Sequence, residues 1–123
     1  MSIDLAHLRS WIGKKESHDD TATAFPVAAL AATLNRCDPP PKTGDAIPLS
    51  AHWLYFLETA PNAELGHDGH PKRGGFLPPV SLPRRMWAGG RIDFRVPVRV
   101  GDAIRRESEI LSVAAKSGNS GNL

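Results

Sequence analysis

Apolar positions in the first third of the chain recur at helical spacing. Leu5, Leu8, Trp11 and Ile12 share one face, Asp4 stands where a helix N-terminus favours negative charge, and Gly13 supplies a stop. This predicts a short amphipathic helix over residues 4–12. Residues 14–23 are polar and read as a linker, with Thr21 or Thr23 placed to cap the next helix and Asp19 and Asp20 suited to a helix start. Residues 24–35 have almost no polar side: Val27, Ala28, Ala29, Leu30, Ala31, Ala32 and Leu34 come after Pro26, which a first helical turn tolerates. A helix apolar all round belongs inside, and its alanines suit close approach by a curved sheet. Asn35 and the Asp38, Pro39, Pro40, Pro41 run end it.

Further along, residues 52–57 are short and aromatic and predict a buried strand, with helix as the alternative at that length. Residues 59–83 hold Pro61, Gly66, Gly69, Pro71, Gly74, Gly75, Pro78, Pro79 and Pro83, which makes them a long loop and a candidate lid or substrate-facing wall. Ile92, Phe94 and Val96 alternate with Arg91, Asp93 and Arg95, the pattern of a strand. After a turn at residues 97–102, a second strand is expected over 103–113, antiparallel to the first. Residues 116–122 have hairpin-turn composition, with Leu123 starting a returning strand. Because so few strands leave the far side of a buried helix in water, the expectation is a domain truncated before its last strands or completed by another polypeptide.

Composition narrows the class without naming a chemistry. The chain has 123 residues, 41% hydrophobic and 23% charged, which is ordinary globular composition for one domain over residues 1–123. Lys and Arg number 15 against 13 Asp and Glu, a net charge of +2 that demands no nucleic-acid partner. Cys37 is the single cysteine and excludes an internal disulfide. Residues 1–8 include Asp4 and His7 and do not resemble a secretory signal, and no apolar run approaches the roughly 20 residues of a membrane span. A cytoplasmic location without membrane association is the default expectation.

No cluster of reactive residues stands out. His67, Asp68 and His70 offer metal ligands, but three residues in a Gly- and Pro-rich stretch fit an exposed turn better, so no metal is expected. Ser17, His18, Asp19 and Asp20 are sequence neighbours, which seldom form a catalytic triad. Cys37 lies between Arg36 and Asp38 with no base beside it. The glycines at 74, 75, 89 and 90 match neither phosphate-binding fingerprint. The pairs Lys72–Arg73, Arg84–Arg85 and Arg105–Arg106 make an anionic ligand plausible, and Trp53, Tyr55, Phe56, Phe76, Met86 and Trp87 are candidates for an apolar acyl pocket. Core packing is the better explanation of each of these residues taken singly, and only their clustering near a Pro-rich loop raises the pocket reading.

One stretch is more specific. Gly74-Gly75-Phe76-Leu77-Pro78-Pro79, followed by Leu82-Pro83-Arg84-Arg85-Met86-Trp87-Ala88-Gly89, resembles the N-terminal domain of MaoC-like, or fungal fatty-acid-synthase-type, dehydratases. The similarity extends back through His52-Trp53-Leu54-Tyr55-Phe56 and forward through Arg95-Val96-Pro97-Val98-Arg99-Val100-Gly101-Asp102. Within that group the chain looks most similar to mesaconyl-CoA hydratases and type 2 hydroxyacyl-thioester dehydratases. The resemblance implies an α+β hot-dog fold, an antiparallel sheet wrapped around a central apolar helix. It also implies a hydro-lyase adding or removing water at an acyl-CoA thioester, with no cofactor beyond the CoA of the substrate.

In that family the catalytic unit is the C-terminal hot dog, marked by an Asp, an Asn-Pro and a His. Here Gly44-Asp45 and Gly101-Asp102 supply a Gly-Asp opening, yet neither leads into Asn-Pro and His, so no catalytic residue is carried over. The resemblance therefore implies a substrate-tunnel half that is inactive alone, with Trp53, Phe56, Phe76, Arg84, Arg85, Met86 and Trp87 as substrate-binding residues. Its partners would be an acyl-CoA thioester and a C-terminal catalytic hot-dog domain or second subunit, within a homo-oligomer. The alternative is a non-catalytic acyl-thioester-binding or dimerisation module.

Overall fold

The computed structural model describes residues 3–123; Met1 and Ser2, which begin the stretch read as unlike a secretory signal, lie outside them. The order of elements is α1 (Leu5–Arg9), β1 (Lys15–Thr21), α2 (Ala24–Thr33), β2 (Ala103–Glu109), β3 (Ser117–Gly118) and β4 (Gly121–Asn122). Two 3-10 turns, Ala51–Leu54 and Asn62–Glu64, lie between α2 and β2. This is a mixed α+β architecture, as the sequence predicts. No helix among the described residues is long and apolar enough to cross a membrane.

The chain forms two compact units. One comprises residues 17–58 and 90–106, and the other residues 1–16, 59–89 and 107–123. In the first, Ala22, Ile47, Ala51, Tyr55 and Val100 form a small buried core, joined by Ala24, Val27, Leu54, Phe56, Val98 and Ile104. The Tyr55 hydroxyl donates to the Thr23 carbonyl at 2.6 Å, so the ring is buried with its polar end satisfied. Residues 44–47 run antiparallel to 98–100, with Ile47 N–H to Val98 C=O and Val100 N–H to Asp45 C=O, each 2.9 Å. Gly101 turns the chain at φ +96°, with Thr43 so close that an added Cβ would lie 3.1 Å from its Cγ2.

Helix α2 forms where expected and packs on the 3-10 turn Ala51–Leu54. None of its residues is buried, however, and Phe25 keeps 78% of its surface exposed. The expectation of an enclosed helix fails among the described residues because no sheet covers α2. The aromatic stretch read as a strand over residues 52–57 begins as the 3-10 turn, and Phe56 comes after it with φ 58°. Asp20 holds that unusual backbone by accepting from the Phe56 N–H at 2.8 Å.

The strand pairing also differs. Among the described residues, 91–96 join no ladder despite their alternation, and β2 pairs instead with β1, the segment read as a linker. Flanking hydrogen bonds join Gly13 and Lys14 to Ile110 at one end and Ala22 to Asp102 at the other, so the two strands are antiparallel. Pro97 lacks the N–H a ladder would use after Val96, whereas β1 and β2 carry opposite charges across the pair, Asp19 to Arg105 at 2.7 Å and Lys15 to Glu109 at 3.9 Å. Asp19 and Asp20 thus belong to a strand and not to a helix start. The Arg105 hydrogen bond is the main cause holding Asp19 below the usual carboxylate range, and the Phe56 and Thr21 N–H groups do the same for Asp20.

The second unit is held differently. Asp4 caps α1 by accepting from His7 N–H at 3.0 Å, and Leu8 is its buried residue. The loop expected over residues 59–83 is present and ordered by side chains that donate to its carbonyls. Trp11 Nε1 and Lys14 Nζ both reach Gly75 C=O, at 3.0 and 2.7 Å. Arg73 bonds Val80 C=O at 2.6 Å and also Leu82 C=O. The terminal hairpin, with Ser117 opposite Asn122 and Gly118 opposite Gly121, matches its composition.

Candidate functional site

A concave site in the first unit lies where the chain before the 3-10 turn meets the segment after Phe94. Its volume is about 210 Å³, and Ile47, Leu49, Phe94, Val96 and Val98 give it apolar walls. Ser50, His52 and Arg95 bring the polar groups, and no carboxylate lines it. The antiparallel contact of Ile47 with Val98 fixes the spacing of the two walls. Phe94, Arg95 and Val96 are consecutive lining residues in a segment without regular strand structure. The His52 ring stands edge-on to Phe94, 6.3 Å between centroids. Such a site can take an apolar body and orient it by a few polar groups.

The residues singled out from sequence fall into both units. In the first, Trp53 is exposed beside His52, at 6.2 Å in an edge-on contact, and Phe56 is half-buried beneath the Arg106 guanidinium, 5.7 Å above its ring. Arg106 also pairs with Glu58 at 3.5 Å. Tyr55 belongs to the core, and burial, then the Asp20 charge, raise its hydroxyl above the usual phenol range.

In the second unit Phe76 is half-buried, and Met86 and Trp87 are exposed. Arg85 is engaged by Asp68 at 3.2 Å and by Pro71 C=O at 2.9 Å, and its side chain is 27% exposed. Arg84 accepts a bond from Arg73 at its own carbonyl. Asp68, considered above with His67 and His70 as a metal ligand, accepts from His70 N–H. That bond comes first among the causes that hold its carboxyl below the usual range, with the charge of Arg85 adding to it. Cys37 is exposed.

Sequence reasoning missed Arg95 and His52 as lining residues, and also the approach of His18 to Glu58, whose ligand atoms lie within 4.8 Å. Both depend on residues about forty positions apart in sequence being brought together. The alternation at 91–96 was a signal, but it pointed Arg95 to the opposite face from Phe94.

Residues 50–122 match the hydroxyacyl-thioester dehydratase type 2 family. Over 114 residues, 93% of this chain, the sequence is 46% identical to the mesaconyl-C(4)-CoA hydratase of Chloroflexus aurantiacus. The chain spans 41% of the length of that relative. The match takes in the Phe94–Val98 wall of the cavity and the Arg73 loop, and with more than half its residues inside the family's pattern the chain belongs to the hydroxyacyl-thioester dehydratase type 2 family.

Proposed function

We propose that this chain is the substrate-tunnel half of an acyl-CoA hydratase or dehydratase, with mesaconyl-CoA as the candidate substrate. The observation that carries the reading is the 46% identity to a mesaconyl-C(4)-CoA hydratase across nearly all of this chain. Hydration of a conjugated thioester needs a base for water, an acid for the α-carbon and donors for the enolate oxygen. The sequence lacks the Asp, Asn-Pro and His arrangement that supplies these in the resemblance above. The catalytic set is therefore assigned to a C-terminal hot-dog domain or a second subunit. This chain would contribute acyl binding, orientation and exclusion of water.

Trp53 and Phe56 in one unit, and Phe76, Arg84, Arg85, Met86 and Trp87 in the other, are proposed as binding surfaces for the acyl and CoA portions, each within its own unit. The arginines match the negative charge of CoA phosphates. No cofactor or metal is assigned, and the location proposed is cytoplasmic, in a homo-oligomer without nucleic-acid or membrane partners. Crotonyl-CoA tests the reading: it should raise the melting temperature of the chain while its double bond persists, and should be hydrated once a polypeptide bearing the catalytic signature is added. Absence of any stabilisation, or hydration by this chain alone, contradicts it. The second reading, a binding or dimerisation module with no lyase partner, is favoured if stabilisation occurs and no such partner restores turnover.

A further inference from the structure

We infer that Arg95 is a specificity-determining residue which, in the cavity between Ile47 and Val98, selects short acyl groups bearing a free carboxylate. The inference rests on the acyl-thioester reading and deepens it by assigning the end of the acyl group that this cavity holds.

Three observations support it. The cavity, about 210 Å³, is smaller than the roughly 300–1,000 Å³ typical of sites for drug-sized ligands, so it suits a short chain. Its lining residues include Arg95, His52 and Ser50 and no Asp or Glu, so its charge complements an anion and disfavours a cation.

The third observation is the state of the arginines. Arg9, Arg73 and Arg99 donate to backbone carbonyls, and Arg36, Arg85, Arg91, Arg105 and Arg106 pair with carboxylates. Among the described residues the Arg95 side chain has no such partner, and Asp93, the acid nearest in sequence, is taken by Arg91 at 3.3 Å. Arg84 is in the same condition but does not line this cavity. An arginine among apolar lining residues, engaged by no other protein group, can present its planar fork to the two oxygens of a carboxylate, with the Ser50 hydroxyl and His52 able to donate further bonds. The apolar part of the acyl group would lie against Ile47, Phe94 and Val96.

Succinyl-CoA and butyryl-CoA test this cleanly, since their acyl groups have equal carbon count and differ in ending as a carboxylate or a methyl. Titration of the full chain should show succinyl-CoA bound about tenfold more tightly, the effect of one charge-assisted contact. Arg95→Gln should remove that preference while leaving butyryl-CoA affinity unchanged, and Arg95→Lys should retain part of it. Equal binding of the two thioesters by the wild type, or a preference that survives Arg95→Gln, overturns the inference and leaves the acyl-thioester reading standing. Binding of neither thioester sinks that reading, and the residue assignment is then decided by free butyrate against 1-butanol. Butyrate alone shifting the Ile47 and Val96 methyl resonances, with the shift abolished by Arg95→Gln, upholds it; equal shifts, or none, overturn it.

Discussion

The two units reach order by different physics. Residues 17–58 and 90–106 pack four buried side chains with Tyr55, so their order comes from apolar burial reinforced by a few internal bonds. In residues 1–16, 59–89 and 107–123 Leu8 is buried, and the long loop is held by Trp11, Lys14, Arg73 and Arg85 donating to carbonyls. Burial of that first kind resists loss of any single polar contact. A loop tied by polar bonds near solvent opens locally at small cost, which suits a segment that must admit and release a ligand.

Tyr55 is where the comparison breaks most visibly if it is wrong. Tyr55→Ala should cost about 3–5 kcal/mol and Tyr55→Phe about 1 kcal/mol, the difference between losing a buried ring and losing one bond, as read by chemical denaturation. A Tyr55→Ala cost no larger than that of a loop substitution would remove the distinction between the units.

Next in size, Gly101→Ala should cost about 1–2 kcal/mol from the backbone conformation alone, with Thr43 crowding adding to it. Denaturation midpoints check this, with Gly75→Ala, where an added Cβ meets nothing within 4 Å, as the control.

Arg73→Ala should lower global stability by about 1 kcal/mol or less, yet speed proteolytic cleavage within residues 74–84. Unchanged cleavage would show that the loop does not depend on this clamp.

Smallest is a pH effect that sets one aspartate in each unit side by side. Asp20 and Asp68 both have pKa values below the ordinary one, so their contributions are present above the unfolded pKa of about 3.9 and fade as pH falls through the lower folded values. Asp20→Asn should flatten the acid limb of the melting curve against pH by weakening the turn at Phe56. Asp68→Asn should leave that limb nearly intact and instead raise exchange of loop amides. Identical behaviour of the two variants would mean that the units unfold as one.

Much of this organisation is legible in the residues. Helix α2 comes from its unbroken apolar run, the loop from its prolines and glycines, and the terminal hairpin from the Gly-Asn-Ser-Gly turn. Strand β1 is not legible, because Lys-Glu-Ser-His-Asp-Asp-Thr has no apolar alternation and is held by a ladder and by Arg105, which lies 86 positions from Asp19. Residues 91–96 show the converse, an alternation without a ladder partner among the described residues. The candidate site divides the same way. Its apolar composition and the dehydratase resemblance can be read from local sequence. Placing Arg95 beside Ile47 needs the long-range antiparallel contact of residues 44–47 with 98–100.

The proposed function requires that this chain bind an acyl thioester and leave the chemistry to another polypeptide segment. Calorimetric titration with crotonyl-CoA reads both halves of it at once. Saturable binding heat that ends when sites are filled is the predicted result. Absence of binding heat, or a sustained heat of hydration after each injection, would contradict it.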